Sequence, residues 1–316
     1  MNKKQRLLYF KEFGIPFSSG VFLRQLCINK HLVPYMSGTD SLNEYKLARI
    51  HREFSEFIQE RNDHWNSVER RTCSRKNCIW LFWYIGNPFD NPILRMCYDS
   101  VAKHKPEGTE IILVNKDNLH QYIELPDYIQ RKVDQGLISL THLSDIVRFK
   151  LLSKWGGTWF DATVFALSDF PMIQVGDVWT MKRPNIDVVS ISKGKWTGFA
   201  IGGNPNILFY LMSEFFDEYW KRYDVLMDFF LIDLMLEYLY RNVEAVRNLL
   251  DSIPLNNVNV QRLWPEMNAL YDEQTFQRIT GNTSLFKLSY KLDWHQKTAD
   301  GQMTNYGKIE RMTYDG

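Results

Sequence analysis

A chain of 316 residues with 45% hydrophobic and 24% charged residues is long enough to bury a sizeable core. Such a composition excludes a disordered tail, a collagen-like fibre and a coiled-coil rod. The formal net charge of +1 gives no overall polyanion-binding character and excludes nucleic acid as an expected partner, while an aromatic content of 15% suits both core packing and stacking on flat rings or sugar faces.

Residues 1–76 read as helices and loops, with Leu47, Ile50, Phe54 and Phe57 at helical spacing inside Ser41–Glu69. This region holds 14 Lys+Arg against 8 Asp+Glu, a local +6 against −5 for the remainder. That balance fits solvated helix, or alternatively contact with an acidic membrane surface or partner. Lys3, Lys4 and Arg6 lead into a short apolar stretch that is no secretory signal, and the richest apolar stretch, Phe229–Tyr240, is interrupted by Asp233 and Glu237. Cys27, Cys73, Cys78 and Cys97 include no C-x-x-C pair and read as reduced thiols. The expectation is a soluble cytoplasmic chain, at most peripheral at the inner membrane face.

The texture changes near residue 77, which divides an amino-terminal helical region (1–76) from an α/β domain (77–316). Ile79–Gly86 is a short apolar run ended by Gly-Asn-Pro, a buried strand. Pro92–His104 then reads as a helix and Glu110–Asn115 as a second buried strand, the strand–helix–strand order of a parallel sheet. Helices follow at Asp127–Gln135 and Thr141–Trp155, the latter stopped by Gly156-Gly157. Thr158–Leu167 returns to β-type residues, with further strands near Val178–Met181 and Phe199–Ile201. Asn206–Leu250 is helical apart from a break at Arg222–Asp224, and the remainder is mixed.

The block Ser144–Val164, SDIVRFKLLSKWGGTWFDATV, carries the chemistry. At about 100° per residue, Lys150 and Lys154 share a side that should face water, while Asp145 and Arg148 lie together roughly opposite among apolar residues. Buried charges need partners. Asp145 and Arg148 either pair with each other at i,i+3 or grip an anionic ligand, for which the guanidinium offers a fork matched to phosphate. Gly156-Gly157 allows a tight reversal or a close approach to a ligand. Asp161 ends an apolar run, where α/β sheets place ligands, and could hold a hard cation or simply cap the next turn.

This block resembles the core of the bacterial capsular polysaccharide synthesis proteins, which stand with glycosyltransferase family 32 and the sugar-transferring domains of large clostridial toxins. The likeness extends upstream through LPDYIQRKVDQGLISLTHLSDIVR and IWLFWYIGN, covering roughly residues 77–167. It implies an α/β fold with a nucleotide-binding, Rossmann-like domain of the glycosyltransferase A type, a nucleotide-sugar donor such as a UDP-sugar, a Mn²⁺ or Mg²⁺ cofactor and retention of configuration. By the resemblance, Trp83 stacks on the donor base, Asp145 and Arg148 contact the donor sugar and diphosphate, Gly157 lies in the cofactor-binding block, and Asp161 is the first acid of a D-x-D metal motif. The third position is Thr163, a neutral hydroxyl and a poorer cation ligand. His295 stands where related folds supply a late metal ligand, so Asp161, Thr163 and His295 form the expected metal set.

Asp228 and Asp233 place two carboxylates on an otherwise apolar helix, and Trp196-Thr197-Gly198 and Asn204 are candidates for the acceptor side. The expected reaction moves a sugar from a nucleoside diphosphate to an oligosaccharide acceptor, with residues 1–76 placed to reach a lipid-linked one. The alternatives are a catalytically inactive subunit that binds nucleotide sugar or glycan, and a glycoside hydrolase, for which no convincing pair of carboxylates stands out.

Overall fold

The structure, a computed structural model, describes residues 3–68, 77–170, 178–184 and 190–315. The amino-terminal helices are α1 (Lys3–Phe13), α2 (Ile15–Asn29) and α3 (Tyr35–Ser67). Helix α3 begins at Tyr35, behind Pro34, rather than at Ser41, and buries Leu47, Ile50 and Phe54 as their spacing requires. No helix among the described residues is long and apolar enough to cross a membrane. Cys27, Cys78 and Cys97 are free, and Cys73 lies outside the described residues.

Strand β1 (Cys78–Phe82), helix α4 (Pro92–His104) and strand β2 (Glu110–Val114) form the expected crossover. The strands pair in parallel from Cys78↔Glu110 to Phe82↔Val114. Asn91 starts α4 by accepting the amide N–H groups of Ile93 and Leu94, with Pro92 supplying a fixed φ in the first turn. After the short α5 (Leu119–Tyr122) and α6 (Asp127–Asp134) comes α7 (Leu140–Trp155), capped by Ser139 and stopped at Gly156 with φ +67°.

The run Thr158–Leu167 is not one strand. It splits into β3 (Gly157–Phe160) and β4 (Val164–Ala166) around a turn at Asp161, whose carbonyl accepts the N–H of Val164. The Asp161 N–H donates to the Phe199 carbonyl, so the chain is pinned where it leaves the sheet. Strands β5 (Trp179–Thr180) and β6 (Ala200–Gly203) follow, then helices α8 (Ile207–Arg222), α9 (Leu231–Asn242), α10 (Glu244–Asp251) and α11 (Glu273–Thr280). Strand β7 (Leu285–Lys287) and helix α12 (Asn305–Tyr314) complete the order.

The main sheet runs β2-β1-β3-β6-β5, with β2, β1 and β3 parallel and β6 antiparallel to β3, while β4 and β7 form a separate antiparallel pair. This mixed α/β sheet behind a helical amino-terminal region is the expected fold class. Alternation along β1 sends Trp80 and Phe82 into a cluster with α7 and α8, and Ile79 and Leu81 into one with Val101 of α4 and Phe160. Both faces are therefore covered, which is why β1 is apolar throughout. Apolar residues of α1, α2 and α3 join those of α7, α8 and α9 in one cluster.

Candidate functional site

Helix α7 is buried around most of its circumference, with His142, Leu143, Ile146, Val147, Arg148, Phe149, Leu151 and Leu152 all inward. Lys150, expected to face water, instead reaches Asp217 on α8 at 2.7 Å and is 10% exposed, because the helix is enclosed on that side too. Lys154 is exposed and donates to the Tyr122 carbonyl.

The Arg148 side chain is 3% exposed and forks between two carboxylates, Nη1 to Asp145 Oδ1 at 2.8 Å and Nη2 to Asp161 Oδ1 at 3.1 Å. Its face stacks on the Trp159 ring, 4.9 Å from the ring centre, and its Nε–H has no acceptor among the described residues. Behind Asp145, the Trp220 indole N–H donates to His142 Nε2 at 2.9 Å. The ring proton of His142 therefore sits on Nδ1, 3.5 Å from Asp145 Oδ2.

Asp161 follows the last residue of β3, and the parallel register Trp80↔Trp159 carried forward sets it beside the carboxyl end of β1. Its Oδ1 accepts from Arg148 and from Trp159 Nε1 at 2.9 Å, while Oδ2 accepts from Lys287 Nζ at 2.7 Å. Burial acts to raise this carboxyl, and the Lys287 ammonium and Arg148 guanidinium overcome it, holding Asp161 down at about 2. Lys287 belongs to β7, paired opposite Val164 of β4, and the next residue, Leu288, donates its N–H to the Thr163 carbonyl.

The other acids serve different roles. Asp233 lies in the first turn of α9 and accepts the Trp196 indole N–H at 2.8 Å. Burial pushes it up to about 6, with the Asp145 charge adding in the same direction. Asp228 precedes α9 rather than lying on it, because its carboxylate accepts the Phe230 N–H and pairs with the buried Lys46 of α3. Gly198 passes over the guanidinium: a methyl there would sit 3.4 Å from Arg148 Nη1 and 3.0 Å from Ile232 Cδ1. Trp196, Thr197, Gly198, Asp228 and Asp233 line a cavity of about 620 Å³ reaching to Tyr35 of α3.

Trp83, one residue past β1, is half-buried and meets Tyr290 edge-on, ring centres 5.6 Å apart at 77°. These two rings border the carboxyl end of the sheet. Gly157 and Asn204 lie elsewhere. Gly157 opens β3 at the opposite end and pairs with Gly203, and Asn204 follows Gly203 there. The glycine is required by packing, since at φ +87° a Cβ would fall 2.6 Å from Cys78 Sγ. His295 is exposed in the loop before α12, its N–H donating to Asn268 and its carbonyl accepting from Thr304.

Among the described residues no group of three or more His, Cys, Asp and Glu side chains is placed to hold a metal ion. Asp161 already spends both oxygens on cationic or indole donors, and Thr163 adds no charge. A cation close to Lys287 or Arg148 meets repulsion on the order of 4 kcal/mol per pair of unit charges at 4 Å. The residues around Asp161 do not fit a resident Mn²⁺ or Mg²⁺.

Lys287 and Tyr290 escaped the sequence reading. LFKLSYK is a weak strand with ordinary basic and aromatic residues, and only the pairing of β7 with β4 brings it to Asp161.

Residues 36–309 match the family model described as capsular polysaccharide synthesis protein. No curated protein sequence matches. Among solved structures, the chain is similar to an apo structure of the bifunctional glycosyltransferase WbbM, with TM-score 0.40 and 8% identity over 79% of this chain and 50% of that one. It is also similar to the PaToxG glycosyltransferase, with TM-score 0.31 and 11% identity over 75% of this chain and 94% of that one. The chain thus spans half the length of WbbM.

Proposed function

Since the chain belongs to the capsular polysaccharide synthesis protein family, matched over residues 36–309, we propose that it is a glycosyltransferase moving a sugar from a nucleotide-sugar donor, a UDP-sugar foremost, to a growing glycan. The observation that carries this reading is the convergence of Arg148, Asp145, Asp161 and Lys287 at the carboxyl ends of β1 and β3. That crevice is where α/β sheets of this kind receive nucleotides, and it agrees with the glycosyltransferase A-type reading of the fold.

In the proposed reaction the bond between the anomeric carbon and the diphosphate oxygen breaks, and its electron pair stays on the diphosphate. The acceptor hydroxyl oxygen bonds to the same carbon from the same face, and its proton passes to the departing diphosphate, so configuration is retained. Arg148 stabilises the developing charge from a dry, preorganised position. Asp145 is placed to accept from donor-sugar hydroxyls, Trp83 with Tyr290 offers a stacking surface for the base, and the 620 Å³ cavity beside Gly198 suits the acceptor.

The test is nucleotide release from a panel of UDP-sugars with oligosaccharide acceptors, with anomeric configuration read by NMR on the product. Turnover with retention supports the proposal. Donor binding without turnover of any panel member assigns the chain instead to nucleotide-sugar or glycan binding within a synthesis complex.

Exposed Leu7, Ile15 and Leu23, at 65%, 71% and 62%, lie on α1 and α2 among Lys11, Arg24 and Lys30. This combination supports peripheral contact with an anionic membrane, and with it access to a lipid-linked acceptor.

A further inference from the structure

We propose that Lys287, held by Asp161, supplies the positive charge that binds the donor diphosphate, in the place of a divalent cation. This rests on the nucleotide-sugar reading above and adds the chemistry by which the diphosphate is held.

Residue identity and backbone position carry the inference together. The acid expected to ligate metal has a cation of the chain's own against Oδ2, at 2.7 Å, and the third position of the motif is a threonine. Lys287 is no loose surface lysine. Its N–H donates to the Val260 carbonyl at 2.8 Å, its residue pairs with Val164, and Leu288 is bonded to Thr163 at 2.9 Å, so its Cα is fixed against the turn that bears Asp161. The Nζ also lies 5.0 Å from the centre of the Phe199 ring, which confines it on another side. An ammonium has three N–H donors, and Asp161 takes one, leaving donors for phosphate oxygens. With Arg148 it forms a pair of cations flanking one carboxylate. On this reading Asp161 is a positioning residue that orients two cations, rather than a metal ligand.

The experiment is calorimetric titration of the full chain with UDP, GDP, CDP and ADP, in EDTA and in Mn²⁺. The inference expects at least one diphosphate to bind in EDTA within about threefold of its affinity in Mn²⁺. It expects K287M to weaken that binding in EDTA by about tenfold or more and K287R to restore most of it, since the ammonium–phosphate contact is charge-assisted. Circular dichroism and Tm report whether each variant folds, and the chelator comparison on the natural sequence stands without them. Binding that requires Mn²⁺, or a folded K287M that binds as the natural chain does, overturns the inference while leaving the donor reading intact. No binding of any diphosphate under either condition overturns the donor reading and this inference with it.

Discussion

Arg148 and Asp145 stand one turn apart on α7 with Nη1 2.8 Å from Oδ1, so the i,i+3 pair open to them by sequence is formed. The pair is incomplete as a self-contained contact, because the second arm of the guanidinium crosses to Asp161 at 3.1 Å. A lysine at this position offers a point charge and cannot span both carboxylates. R148K is expected to lower donor turnover by about 10²-fold or more and to cost about 1–3 kcal/mol of stability. R148A leaves two acids facing each other around an empty site and should cost about 3–5 kcal/mol. Urea unfolding and nucleotide release measure the two effects, and an R148K variant with full turnover would remove Arg148 from the proposed reaction.

Asp233 gives a dependence on pH whose sign is fixed by the direction of its shift. Burial and the neighbouring Asp145 charge hold it up at about 6, so between about pH 4 and 6 the native state keeps a proton that the unfolded chain has lost. Its contribution is therefore fully present below pH 4 and is lost as pH rises through 6, a change of about 1–3 kcal/mol. Asp161, held down at about 2, acts oppositely and in a separate window: its contribution is present above about pH 4 and is lost as pH falls through 2. Comparing Tm of the natural chain and D233N from pH 4 to 7 isolates the first effect. D233N should flatten the decline between pH 4 and 6, and parallel curves would contradict it.

The sequence made the first half of this site readable and hid the second for a physical reason. β1, α4, β2 and α7 announce themselves through apolar runs and periodicity, both local signals. Asp145, Arg148 and Asp161 lie within a short span, so helix geometry and a strand end suffice to bring them together. Lys287 reaches Asp161 from 126 residues away through a strand of three residues, and no local pattern encodes that pairing. The division of Thr158–Leu167 into β3 and β4 was hidden likewise, because Phe160 and Val164 are equally apolar on both sides of the turn.

The exposed apolar residues of α1 and α2 predict reversible binding to anionic vesicles. Vesicles of phosphatidylglycerol and phosphatidylcholine should sediment the chain, and binding should fall as salt rises through the physiological range, where the Debye length is about 8 Å. Replacing Leu7, Ile15 and Leu23 together by serine removes three exposed apolar side chains and should weaken vesicle binding by about tenfold or more without lowering Tm. Equal sedimentation of natural and triple-serine chains would rule these helices out as the contact surface.

Two glycines separate what builds the sheet from what shapes the site. At Gly157 the φ of +87° and the 2.6 Å approach to Cys78 Sγ combine backbone strain with overpacking against β1. G157A should therefore cost about 2–4 kcal/mol, while the surviving folded protein keeps its affinity for nucleotide. Gly198 has no such backbone strain, and its added methyl would meet the end of Ile232 and, at 3.4 Å, Arg148 Nη1. The end of Ile232 must then give by a few tenths of an ångström, and the methyl comes into contact with Arg148 Nη1 beside the cavity, so G198A should lower turnover by about tenfold and stability by about 1 kcal/mol. Thermal unfolding and single-turnover kinetics on both variants make the contrast measurable. A loss of nucleotide affinity in folded G157A would return that glycine to the binding site, and unchanged turnover in G198A would separate the Trp196–Gly198 segment from the Arg148 cluster.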